Sequence, residues 1–179
     1  MSLSVNPNYH AAAHMKNNKE SLRQVPNIEN QSCFGCGEEN PIGLRMKFST
    51  DGQKMYSEVT VPLTMVGWDN TVHGGILSTI ADEIMGWTVI HLIKKIGVTR
   101  SITVDFLQPV RGGDRLKVVG TVLPLDSKRS ASVSGEIYNN DGVKCVQATG
   151  KFSIMKPETA VRLGVMSKEY MLQFEKILR

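Results

Sequence analysis

The sequence predicts an α+β domain in which a curved antiparallel sheet of about six strands wraps around one long central helix. Three observations carry that expectation. Residues from about 73 to 95 are apolar around most of a helical circumference, segments of alternating polarity lie on both sides, and Gly-, Asp- and Asn-containing turns separate those segments. A helix that is apolar nearly all round must be covered nearly all round, and alternating strands supply the covering face.

In "LRMKFST", Leu44, Met46 and Phe48 share one face, the mark of a half-buried strand. "MYSEVTV" alternates again after the turn "DGQK", so the two runs read as a hairpin that Pro62 stops. "PLTMVGWDNT" is a loop, the helix follows from "HGG", and Gly97 marks its expected end. Four more strands, "VTRSITVDFLQPV", "DRLKVVGTVLPL", "KRSASVSGEIYN" and "VKCVQATGKFSIM", are expected as a meander broken at "RGGD", "PLDS" and "NNDG". Residues 1–30, polar and rich in Asn, form an N-terminal leader without sustained alternation. Residues 31–157 form the domain, and 158–179, after Pro157, a helical extension of one or two helices.

With 179 residues, one domain is the default. A hydrophobic share of 41% and a charged share of 21% exclude disordered and fibrous classes. The net charge of +4 comes from scattered Lys and Arg, which argues against nucleic acid and suits a small anionic ligand. The first twenty residues lack a signal-peptide pattern, and Asp82, Glu83 and His91 interrupt the longest apolar run, so a cytoplasmic protein with no membrane partner is expected. Three cysteines fit free thiols. Cys33 and Cys36 have the spacing of half a zinc site, but no second pair exists, and His10 and His14 complete one only if the leader folds back. The expectation is therefore no metal and no cofactor.

Two adjacent acids, Asp82 and Glu83, sit in the middle of the apolar helix. A buried carboxylate must be paired, hydrogen-bonded or protonated, so each needs a reason. Glu83 is expected to point into solvent or against Lys94 or Arg100, in a structural role or as a minor accessory to the neighbouring subunit's site. Asp82 shares a face with Gly75, two turns earlier, where the free N–H groups of Gly74 and Gly75 at the helix start offer a site for developing negative charge. The two lie about 10 Å apart along the axis at 1.5 Å per residue. Two antiparallel helices across a twofold axis bring the glycine end of one to the acid of the other, so the geometry asks for a dimer.

"HGGILSTIAD" followed by "VTRSITVDFLQPV", with the leader "CFGCGEENPIGL", resembles the hotdog-fold acyl-CoA thioesterases of the phenylacetate-pathway (PaaI-like) type, over roughly residues 33 to 156. The resemblance implies the hotdog fold, a homodimer or a homotetramer of paired dimers, and hydrolysis of acyl-CoA thioesters. It implies Asp82 as the catalytic carboxylate, general base or nucleophile, with Gly74 and Gly75 polarising the carbonyl, His73 positioning beside them and Thr99 orienting the water. Where several relatives carry Asn or Gln, six residues before the histidine, this chain has Gly67, and Asn70 is the candidate replacement.

The same layout makes Arg100 and Arg111, with Arg115, Lys128 and Arg129, candidates for the CoA phosphates. Trp68 and Met85, with Met65 and Trp87, are candidates for an acyl pocket. The rival readings are a hotdog dehydratase or hydratase on similar substrates and a non-catalytic acyl-CoA-binding sensor.

Overall fold

The computed structural model describes residues 22–124 and 127–178. The strands are β1 (Arg23–Val25), β2 (Lys47–Thr50), β3 (Lys54–Thr60), β4 (Val66–Trp68), β5 (Thr71–Val72), β6 (Ile96–Phe106), β7 (Arg115–Val122), β8 (Ser130–Tyr138) and β9 (Lys144–Met155). The central helix is α1 (Gly74–Thr88), continued by a π-helical turn over Val89–Ile93; α2 (Pro157–Arg162) and α3 (Lys168–Leu178) follow the last strand. Seven strands make one antiparallel sheet in the order β1-β2-β3-β7-β8-β9-β6, and β4 with β5 forms a separate two-stranded ribbon.

α1 packs on β3, β6, β7, β8 and β9. Ile80, Ile84, Met85 and Val89 are fully buried against Met55, Leu116, Val118, Val133 and Phe152. This is the helix enclosed by a sheet that its all-round apolarity requires. The stretch Gly74–Ile93, 20 residues, is in fact long and apolar enough to cross a membrane by length and composition, which corrects the reading that its charged residues interrupt it. Those same apolar faces are the ones laid on the sheet.

Three local expectations are also corrected. The helix ends at Ile93, where Lys94 takes a left-handed conformation with φ of 58°. Gly97 lies inside β6 instead, and a Cβ there would come within 2.7 Å of Val89 Cγ1, so its absence lets the strand close on the helix. The four strands after α1 are not a plain meander: β6 pairs with β9 at the sheet edge, and β7 pairs with β3 and β8. The sheet also starts within the expected leader, because β1 adds to β2 through Arg23–Thr50 to Val25–Phe48. The remainder of the leader before Leu22, with His10 and His14, lies outside the described residues.

Pro157 sits at the first turn of α2, where its missing N–H costs nothing. α3 buries Met171, Phe174 and Ile177. It is tied back at two points: Lys94 Nζ donates to the Ile177 carbonyl at 3.2 Å, and Tyr170 Oη donates to Gln31 Oε1 at 2.7 Å.

Candidate active site

Asp82 faces β6 from the middle of α1, half-buried, and its Oδ1 accepts a 2.9 Å hydrogen bond from Thr99 Oγ1. The strand is shaped for this contact: the β6–β9 register shifts between Thr99 and Ser101, with Arg100 the extra residue. A bulge re-aims side chains and bends the strand that carries it. One carboxylate oxygen is thereby held by a hydroxyl.

At the start of α1, His73 is the N-cap, and its Nδ1 accepts from the Gly75 N–H at 2.9 Å. The imidazole proton then belongs on Nε2. The His73 carbonyl takes the N–H groups of Ile76 and Leu77 at 2.9 and 3.3 Å. Among the described residues no acceptor meets the Gly74 N–H. The ring of Phe106 covers this glycine: a Cβ on Gly74 would lie 3.3 Å from Phe106 Cζ. Phe106 is a site residue the sequence reading did not single out, although it belongs to the quoted "FLQPV". Gly67 lies against the His73 ring, where an added Cβ would approach Cδ2 to 3.2 Å. A larger residue at Gly67 and His73 in this position therefore compete for the same space.

The structure brings Asp82 to Thr99 and His73 to Gly75, and within one chain it does not bring these two pairs together. Asn70 is exposed, and its carbonyl accepts from the Gly112 N–H at 3.0 Å rather than meeting either pair. Arg111 Nη1 donates to Thr71 Oγ1 at 2.8 Å, while its backbone N–H binds Asp114. Arg115 pairs with Glu58. Arg100 is exposed at the bulge. Trp68 is 89% exposed on β4, whereas Met85 is fully buried under the sheet beside Gly135 and Gly150, with no free surface to line a pocket. Trp87 is likewise in the core, stacked on Phe48 at 4.8 Å.

Glu83 departs from its expectation of solvent, Lys94 or Arg100. It turns inward to the loop that precedes β2, where both carboxylate oxygens stand 3.8 Å from Cys33 Sγ and Oε1 accepts from Trp87 Nε1 at 3.2 Å. Burial, followed by the neighbouring Cys33 charge, raises its pKa to about 7. Cys33 is drawn down to about 5, chiefly by its hydrogen bond from Cys36 and against its own burial, with the backbone N–H groups of Cys36 and Gly35 assisting; Cys36 is pushed up by the same partner. Gly35 makes the approach possible, because a Cβ on it would sit 2.4 Å from Glu83 Oε2.

Residues 69–146, the span from the loop before α1 into β9, match the family model of the thioesterase superfamily. An uncharacterized protein of Schizosaccharomyces pombe is 29% identical over 109 residues, 58% of this chain and 61% of that one; the chain thus spans about three fifths of this relative's length. Among solved structures, a hypothetical thioesterase protein from Streptococcus pneumoniae with coenzyme A aligns at a TM-score of 0.55 and 23% identity, over 59% of this chain and 80% of that one. The PaaI protein from the phenylacetic acid degradation operon of E. coli aligns at 0.53 and 20% identity, over 82% and 94%. The chain has the hotdog fold of these thioesterase structures, and its residues 69–146 match the thioesterase superfamily model.

Proposed function

We propose that the protein hydrolyses acyl-CoA thioesters to free acid and CoA, working as a homodimer or as a homotetramer of such dimers. The observation that carries this is the Asp82–Thr99 pair: Thr99 holds one carboxylate oxygen at 2.9 Å and leaves the other for a water or a carbonyl carbon. Asp82 acts as general base on water, or itself as nucleophile. In the first route the water oxygen bonds to the carbonyl carbon as its proton passes to Asp82, the C–S bond breaks, and the CoA thiolate leaves and is protonated.

The oxyanion falls to the N-terminus of α1 of the opposing subunit, where Gly74 N–H has no acceptor among the described residues and the helix dipole adds its positive end. His73 holds the Gly75 N–H and so keeps this turn in shape. The partition between subunits follows from the roughly 10 Å between Gly75 and Asp82 along one helix. The free edge of β6 supports a dimer paired through it, since this eleven-residue strand ends the sheet with Val98, Phe106 and Leu107 exposed along it and just beyond it. In this reading exposed Arg100 on that strand meets CoA phosphate, and exposed Phe106 and Trp68 meet the acyl group. The Streptococcus pneumoniae neighbour, seen with coenzyme A, has also been solved with one aspartate and with one threonine replaced by alanine, the residue types of the Asp82–Thr99 pair.

The test is release of free thiol from a panel of acyl-CoAs by wild type, Asp82→Asn and Asp82→Ala. Turnover by wild type and its loss in both variants is the expected result. Turnover unchanged by both removes Asp82 from the chemistry, and binding without turnover by wild type turns the reading into an acyl-CoA sensor.

A further inference from the structure

Cys33, Cys36 and Glu83 bring three ligand atoms within 4.8 Å of one another, on a loop and a helix fifty residues apart in sequence. We propose that this cluster binds a divalent transition-metal ion, Zn2+ by its ligand chemistry, with two thiolates and one carboxylate, and that the ion ties the loop before β2 to α1.

Four features of the cluster support this. The distances fit one ion: donors at roughly 2.3 Å for sulfur and roughly 2.1 Å for oxygen, at a tetrahedral angle, stand about 3.6 Å apart. The 3.8 Å between Cys33 Sγ and each Glu83 oxygen is close to that. The loop is shaped around the sulfurs: "CFGCG" turns back on itself through a 2.9 Å bond from Gly37 N–H to the Cys33 carbonyl, and the N–H groups of Gly35 and Cys36 face the Cys33 sulfur. Glycine is required at Gly37, where a Cβ would meet the Gln31 carbonyl and Cys33 N at 2.5 Å, and at Gly35 a Cβ would lie 2.4 Å from Glu83 Oε2 and displace the carboxylate.

The ligands also have partners of their own, as metal ligands do. Trp87 Nε1 donates to Glu83 Oε1, leaving Oε2 for an ion. Gln31 Nε2 donates to Cys36 Sγ at 3.5 Å, and Gln31 is itself fixed by Tyr170 from α3. Finally, the cluster holds acidic groups without a cation. No lysine, arginine or histidine makes an ion pair with Glu83 among the described residues. Glu83 has a hydrogen-bond donor in Trp87 but no ion-pair partner, and a metal ion is one way in which such a buried charge is neutralised.

Zn2+ binding forms two Zn–S bonds and one Zn–O bond and releases the thiol protons to solvent. The fourth position falls to water. The spacing of half a zinc site in the sequence is thus completed by a helix acid rather than by a second cysteine pair.

Untagged full-length protein, dialysed against Zn2+ under a non-chelating reductant, is expected to hold one zinc per chain by native mass spectrometry. Co2+ in its place is expected to give a thiolate-to-cobalt charge-transfer band. Cys33→Ser and Cys36→Ser are expected to abolish stoichiometric binding. Glu83→Gln keeps the shape of the side chain and is expected to weaken Zn2+ by more than the ~10- to 100-fold that loss of an outer-shell partner costs. Cys145→Ser is expected to change nothing. The proposal is overturned if folded wild-type protein takes up no Zn2+ or Co2+, if Glu83→Gln binds as wild type does, or if Cys33 and Cys36 are found joined as a disulfide in the native protein. Should Glu83→Gln fail to fold, alkylation of wild type decides. Chelator-reversible protection of Cys33 and Cys36 by Zn2+ supports the site, and equal labelling with and without Zn2+ overturns it.

Discussion

Asp82 and Glu83 are consecutive on α1, about 100° apart around its axis, and they meet opposite surroundings. Asp82 faces a bulged edge strand and a single hydroxyl, with one oxygen uncommitted. Glu83 faces a glycine-moulded loop, an indole N–H and two thiols, with no ion-pair partner among the described residues. The difference teaches how one apolar helix carries two acids. One has a single hydroxyl partner near an open edge, the arrangement that the proposed hydrolysis uses, and the other is enclosed by an indole N–H, two thiols and a glycine-moulded loop, the arrangement that the proposed metal site uses.

Substitutions at these two faces can break or sharpen that division. The largest effect is expected at Asp82: Asp82→Asn should lower kcat on acyl-CoA by about 10²- to 10⁴-fold, the usual contribution of a positioned base, with a thermal melt close to wild type. If Glu83→Gln lowers kcat as far, the two faces are not separate. Next, Thr99→Val strips Asp82 of its neutral donor. A hydrogen bond to a charged group is worth about 1.5 to 3 kcal/mol, so kcat/KM should drop by roughly 10- to 100-fold while the chain stays folded by circular dichroism.

On the other face the expected effect is on stability. Gly35→Ala drives a methyl into the Glu83 carboxylate and should cost about 1 to 3 kcal/mol in urea unfolding, the range for overpacking, with kcat of the folded fraction nearly unchanged. The smallest effect concerns a third carboxylate in neither environment. Asp51 closes the β2–β3 hairpin: Oδ1 accepts the N–H groups of Gln53 and Lys54, and Oδ2 the Tyr56 hydroxyl, each at 2.8 Å. Slight burial pushes its pKa up, but these donors outweigh it and hold it below the ordinary carboxylate value. Its stabilisation is therefore present above the unfolded pKa and is lost as pH falls through the lower folded one. Asp51→Asn should remove about 1 kcal/mol or less near neutral pH and flatten the acid limb of a stability-versus-pH curve.

Much of this was legible in the sequence because it is local. The helix announced itself by apolar periodicity, and the β2–β3 and β8–β9 hairpins by "DGQK" and "NNDG", since turn chemistry depends on neighbouring residues. The position of β6 was not legible, because nothing within "VTRSITVDF" distinguishes pairing with β7 from pairing with β9. β1 escaped because "RQV" is too short to alternate. For the acids, helical geometry gave the angle between Asp82 and Glu83 but not what stands at each angle. Thr99 lies seventeen residues from Asp82 in the chain and Cys33 fifty from Glu83. The first distance was bridged by a resemblance to relatives; the second had no local signal. Met85 was assigned to a pocket on residue type alone, and its burial depends on sheet glycines that no helical pattern reveals.

The placement of β6 beside β9 also fixes an order of events as the chain is made. β6 leaves the ribosome before β7, β8 and β9, so it stays unpaired until β9, the strand beside it in the sheet, has been synthesised and the β7–β8–β9 hairpins have closed. Non-local strand pairing is slow, and a long strand with open edges is the species that associates wrongly. For the nascent chain β6 is therefore the segment most in need of shielding, and the seat it offers to α1 through Thr99 and Gly97 is the earliest cover it meets.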